Sequence, residues 1–437
     1  MKQTINPPGC PSPPFHYSHA VKSGPLIFTS GQLATDFHSG IAVEAAVNPG
    51  KPYAGPPAIS RQTRYIFKNL NRLLRAAGSS LDNMLRVEQF ITGRADAPGF
   101  VEARKEFLAV DPPTSSLLVA PALELPDARI IVDGIAVASD GPWEKKCFTT
   151  DKVPINARGG YSLAQLAGPF VFLPGNTASD FKTGIHPDAR VDHTFWFERD
   201  IVKQTEFILK TRRLVLEGLG LSLADIVQAT VYLCDIADLP EFESVWYRHF
   251  AQDGPAVTVI PVAELAVLGS VVEISAIALD PSAGLPRRAI NTDRAPAPAF
   301  RAPHAVQAGP YIFFSGLTAS DANGLAPEAS IRANAPYYAS AIKRQTQYIL
   351  GNVANICAAA GTSVTSLVKC QSFLTDFNDL VQYFDVWREF FPVDPPASTV
   401  VGANPPLIEP GCRVLQAWIA FAPDTVETDH PQKRRFT

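Results

Sequence analysis

One segment of this chain occurs three times. Gln62-Thr63 opens a run that closes on Ala76-Ala77-Gly78; Gln204-Thr205 leads to Gly220, and Gln345-Thr346 leads to Gly361. The offsets are 142 and 141 residues at both landmarks, so the phase holds with almost no slippage. Whatever 437 residues fold into must therefore be one unit used three times. Between the landmarks each copy reads as an amphipathic helix. Copy one places Ile66, Leu70, Leu73, Leu74 and Ala77 on one face, and copy three repeats it with Ile349, Val353, Ile356, Cys357 and Ala360. Copy two keeps Ile208, Val215, Leu216 and Leu219 but sets Arg212 on the apolar stripe. Gly78, Gly220 and Gly361 then fall where a helix ends in a left-handed residue.

A strand follows each helix, at Met84–Ile91, Ile226–Leu233 and Leu367–Leu374, and then a second helix carrying aromatics, among them Phe100, Trp246 and Trp387. Each copy closes on a proline-marked turn and two strands and opens on an apolar strand ending at Gly31, Gly175 or Gly316. The order is β-β-α-β-α-β-β per copy, an α+β unit. The Pro-rich stretches near 140–158 and 280–300 read as linkers, which divides the chain into 1–145, 146–290 and 291–437.

Composition narrows the function. Apolar residues make up 46%, charged residues 18%, and the net charge is −4, so no basic surface for nucleic acid is expected. The run Lys433-Arg434-Arg435 reads as a solvated tail. No apolar run approaches the ~18 residues of a membrane span, and the first residues lack a secretory pattern. Six cysteines without a CxxC pair make neither a disulfide framework nor a zinc site. The expectation is a cytoplasmic protein with no metal and no cofactor.

In order and spacing these landmarks resemble those of the RidA (YjgF) family, and the resemblance covers nearly the whole chain three times. Tyr17-Ser18-His19-Ala20-Val21 followed by Ser30-Gly31-Gln32 is similar to the family's opening, and Val272-Glu273-Ile274-Ser275-Ala276-Ile277-Ala278 to its final strand. The resemblance implies a chorismate-mutase-like fold, a mixed sheet with two helices on one face. It also implies trimeric assembly with active sites between neighbours. Three fused copies would then form an intramolecular pseudo-trimer, alone or in a higher oligomer.

The sequence departs from the family where the chemistry sits. The deaminase branch clamps a substrate carboxylate with the arginine of Pro-Ala-Arg-Ser; here that position is Ser115, Val257 and Ser398. A second site position falls at Val101, Glu243 and Phe384, and the acidic position of the last strand at Ile131, Glu273 and Leu415. The opening tyrosine survives as Tyr17 and Tyr161 but becomes Ala302 in copy three. The losses differ between copies, so the clefts are not equivalent. Glu273 is the first candidate for a general acid or base, with Glu243 expected to serve the same cleft and Tyr17 and Tyr161 to orient a substrate. Gly31, Gly175 and Gly316 would offer backbone amides to ligand, with Ser115 and Ser398 beside them. His19 and His304 share one position, read as a surface or capping role. Ala34-Thr35-Asp36 and its two repeats read as self-capped turns.

The resulting expectation is a hydrolase or deaminase acting on a C–N bond of a small enamine, imine or aromatic-derived metabolite. The alternative is a non-catalytic small-molecule-binding or regulatory module. A ribonuclease or translation inhibitor is a third reading, opposed by the acidic charge.

Overall fold

The computed structural model describes residues 2–425 apart from 52–53, 157, 193, 195 and 251–252. His193, Phe195 and the basic run at 433–435 lie outside the described residues. The repeated helices span Ala58–Ala76, Asp200–Glu217 and Ala341–Ala359, with the anticipated apolar positions buried except Leu219, which lies past the end of the second of them and is half-buried. Gly78, Gly220 and Gly361 stand at φ +78°, +76° and +79°, a conformation strained for any residue with a Cβ. The next amide closes each helix end, as Ser79 N–H does on Leu74 O at 2.8 Å.

Each copy lays six strands side by side in one sheet; Glu264–Leu265 of copy two adds a seventh to the first sheet, and Leu317–Thr318 pairs beside the main path of the third. In copy one the strands lie side by side as Lys2–Ile5, Ala20–Ser23, Leu26–Thr29, Ile130–Val137, Met84–Ile91 and Thr114–Val119. Only the last pair is parallel, because the second helix, Ala97–Lys105, crosses between them. The outermost strand was not legible. Its counterparts, Lys145–Phe148 and Arg287–Ile290, lie in the stretches read as linkers, and the second hydrogen-bonds into the third sheet from before residue 291. These strands are short, charged and half exposed, as edges usually are, so they carry no apolar signal.

Alternation along the strands separates two kinds of core. Ile27 packs with Ile66 and Leu70 in the copy's own core, under the helices. Its neighbours Leu26 and Phe28 point the other way, into a cluster that also holds Phe170 and Ile277 of copy two and Tyr311 and Phe313 of copy three. A sheet covered on both faces needs continuous apolar strands, and all eight residues of Met84–Ile91 are buried.

Polar contacts cross between copies as well. Gly31 N–H donates to Ser398 O (3.1 Å), Gly316 N–H to Val257 O (2.9 Å), and Ser162 Oγ to Pro112 O (2.6 Å). Copy one thus touches copy two, copy two touches copy three, and copy three touches copy one. Where they meet, Arg86 pairs with Glu88, and Lys369 with Asp133 at 2.9 Å, all buried. Gln371, Thr399, Ser275 and the Tyr232 hydroxyl complete the network. Four charges and partners from all three copies balance there, which removes the penalty of a lone buried ion.

Candidate active site

Three junctions between copies have the same parts in different states. At the junction of copies three and one, Phe15 stacks on Phe384 with ring centres 4.4 Å apart, and Tyr17 lies 5.9 Å from the same ring. At that of copies two and three, Phe300, which occupies the Phe15 position, packs against Phe242, Trp246 and Tyr247. Aromatic rings fill both places. In copy two the same position is Gly159, with no side chain, and a cleft of about 80 Å³ opens between copies one and two.

A second difference widens the contrast. Ser30 Oγ accepts the Ser398 N–H at 2.7 Å and Ser315 Oγ the Val257 N–H at 3.0 Å, stitching strand to strand. Copy two has Pro174 there, with no hydroxyl to make the stitch.

Tyr161, Gly175, Ser115 and Glu273 all line the open cleft. The closing strand sets Glu273 opposite Tyr232, as it sets Ile131 and Leu415 opposite Phe90 and Phe373. Glu273 is 4% exposed. Burial pushes its carboxyl up to about 8, the Glu88 charge adds to the rise, and the guanidinium of Arg212 works against it. Gly175 is required by this side chain: a Cβ there would fall on Glu273 Oε1, and 2.8 Å from Ser116 Oγ. Burial also raises the Tyr161 hydroxyl, although a hydrogen bond from Asn156 opposes it.

Arg104 lines the cleft too, and motif reading passed it over. The family pattern places its cation on the strand, at Ser115, whereas Arg104 comes from the second helix. The signal was available by position. The repeat offsets make Arg104 equivalent to Trp246 and Trp387, both buried core residues. In copy one the guanidinium is 2% exposed, and its Nη1 donates to Ser115 Oγ at 2.8 Å and Gln89 Oε1 at 2.9 Å. Nη2 donates to the carbonyls of Gly159 and Gly160, and Nε has no partner. Desolvation lowers its pKa to about 10, which leaves it charged at neutral pH.

Other candidates fall elsewhere. Glu243 does not serve the Glu273 cleft: its helix faces copy three, where it meets the Tyr247 hydroxyl at 3.3 Å, half-buried. The closing strand and second helix of one copy face different neighbours, which spacing along the chain does not reveal. Tyr17 and Ser398 belong to the junction of copies three and one, beneath Phe15 and Phe384. The amides of Gly31 and Gly316 are already spent on neighbouring carbonyls, so neither faces a ligand. His19 and His304 are buried rather than on the surface; His304 Nε2 holds Pro296 O at 2.9 Å. Asp36, Asp180 and Asp321 each accept backbone N–H groups two residues on, as self-capping turns require.

Fold and site together describe three copies of a small α+β domain with a polar pocket at one junction. The family described as "Endoribonuclease L-PSP" matches residues 10–138, 151–280 and 292–414, and the chain belongs to it, as three tandem RidA-like domains. A RutC family protein of Pyrococcus horikoshii is 33% identical over 134 residues, 31% of this chain and 97% of its own. The 2-iminobutanoate/2-iminopropanoate deaminase of Dermatophagoides farinae is 30% identical over 138 residues, 31% of this chain and 96% of its own. The crystal structure of RidA from an Antarctic Psychrobacter is 28% identical with a TM-score of 0.26, covering 31% of this chain and 98% of that one. Among the described residues no helix is long and apolar enough to cross a membrane.

Proposed function

We propose that the three domains act as an intramolecular pseudo-trimer and that the cleft between copies one and two hydrolyses a C–N bond of a small imine or enamine. The observation that carries this reading is the collection of Glu273, Tyr161, Gly175 and Ser115 around the junction that Gly159 leaves open. The deaminase name borne by the mite relative supports the reaction class. A volume of about 80 Å³ admits a substrate of about five water-sized groups.

Glu273 is the proton carrier. As a neutral acid it gives its proton to the enamine carbon or imine nitrogen, and as the carboxylate it takes one from the attacking water. The carbinolamine so formed expels ammonia and leaves a carbonyl. A carboxyl near 8 is well matched to both halves at neutral pH. The Tyr161 hydroxyl, which stays protonated, donates to the oxygen that develops.

The test is ammonia release from 2-iminobutanoate and 3-aminoacrylate, generated in place, by the wild type beside Glu273→Gln. Turnover that drops by two orders of magnitude or more in the variant is expected. Turnover equal in both proteins removes Glu273 from the chemistry. No turnover by folded wild type assigns the cleft to ligand binding instead.

A further inference from the structure

We propose that Arg104 is the anion-holding residue of the cleft between copies one and two, and that this site occurs once per chain. The inference rests on that cleft being the reaction site and adds what recognises the ligand there. Its basis is the way the guanidinium is held.

Among the described residues two other buried cations have carboxylate partners, Arg86 with Glu88 and Lys369 with Asp133, and Arg212 stands near the Glu273 carboxyl while donating to the carbonyls of Pro174 and Ile274. Arg104 has none: its four bonded N–H groups go to a serine oxygen, an amide oxygen and two backbone carbonyls, all neutral. A buried charge answered only by neutral dipoles costs several kcal/mol, so the site is incomplete without an anion.

The unused donors agree. Arg104 Nε–H is buried with no acceptor, and so is the Gln89 amide nitrogen. The orientation of Gln89 is settled by its neighbours. Its oxygen faces Arg104 Nη1 and accepts the Ser115 hydroxyl at 3.0 Å, and an arginine can only donate. An unpaired Nε–H and a positive charge on a side chain that lines one small cleft, with the unpaired Gln89 amide behind it, describe a place for a carboxylate.

The helix supplies this group because copy one has given up the tryptophan. Trp246 and Trp387 stack in their own cores, on Phe250 and on Trp418. Arg104 instead reaches the short Ser115, so the cation stands beside the strand position it has left. Its Nη2 groups hold the loop of Gly159 and Gly160, which forms the opposite wall. The other two junctions have tryptophan at this position and phenylalanine in the space, which leaves one site per chain.

Titration calorimetry with pyruvate and its neutral counterpart pyruvamide tests the assignment, run beside the ammonia assay. Wild type should bind one pyruvate per chain, at least tenfold tighter than pyruvamide. Arg104→Gln should abolish the preference, Arg104→Lys should keep part of it, and Glu273→Gln should still bind pyruvate. Equal binding of the two by wild type, or pyruvate binding unchanged in folded Arg104→Gln, overturns the inference whatever the fate of the other variants. A stoichiometry of three overturns the single site. If pyruvate does not bind while a neutral enamine releases ammonia through Glu273, the clamp fails and the reaction stands. If pyruvate binds through Arg104 but no imine or enamine turns over, the clamp stands and the reaction fails.

Discussion

Replacing Glu273 by Gln should make the protein more stable at alkaline pH and leave it nearly unchanged in acid. The carboxyl rises from its ordinary 4.5 to about 8 in the folded protein, chiefly because burial penalises the anion. At about 1.4 kcal/mol per pH unit, the full effect is about 5 kcal/mol. Between these values the folded state holds a proton the unfolded chain has lost, so stability falls as pH rises. The loss begins near pH 4.5, reaches about 3 kcal/mol by pH 7, and is complete above about 8. Glutamine has the same shape and no proton to lose, so the difference between the two proteins isolates this one group. Contributions common to both cancel, including that of Glu124, which burial also pushes up to about 8. Urea denaturation of both proteins from pH 4 to pH 9 reads the difference directly. A difference that stays flat would refute the reasoning. A difference that disfavours the variant and stays constant above about pH 5, changing only in acid, would mean that Arg212 holds the carboxylate ionised.

Three further outcomes follow from the packing. Gly175→Ala drives a Cβ onto Glu273 Oε1, and ammonia release should fall roughly a hundredfold, the scale of an ångström's misplacement, while circular dichroism stays native. Lys369→Met leaves Asp133 buried without its cation and should cost about 3–5 kcal/mol of unfolding free energy; a loss below 1 kcal/mol would show that Gln371 and Thr399 suffice. Ser30→Ala removes the acceptor of the Ser398 N–H and should cost about 1–3 kcal/mol, measured by denaturation. Cutting the same position in copy two, Pro174→Ala, removes no such bond and should cost less.

Local signals determined much of the unit. Helical period, left-handed glycines and turn residues act over a few positions, and the threefold phase multiplied them. Apart from the outermost strand, the other five strands and two helices of each copy therefore stand where periodicity puts them, and the self-capped aspartates do as expected. The outer strands were illegible because a half-exposed edge of four residues, two of them charged, has no apolar pattern to read.

The site divides along the same line. That Glu273 is the sole acid at its position was visible in the sequence, as was Arg212 on an apolar stripe. Which cleft stays open was not, since it depends on what one copy presents to another: Phe15 and Phe300 fill their junctions, and Gly159 leaves the third empty. Glu243 was assigned to the wrong cleft for this reason. Arg104 is the sharpest case. By sequence it stands out only as a basic residue where the other copies have Trp246 and Trp387; its role requires Ser115 to be short, Gly159 to be bare and Pro174 to leave the strands unstitched. Sequence determined the repeated domain, because its elements form by contacts close in the chain. The tertiary structure alone decided the site, because every wall of it comes from residues that meet only when two copies pack.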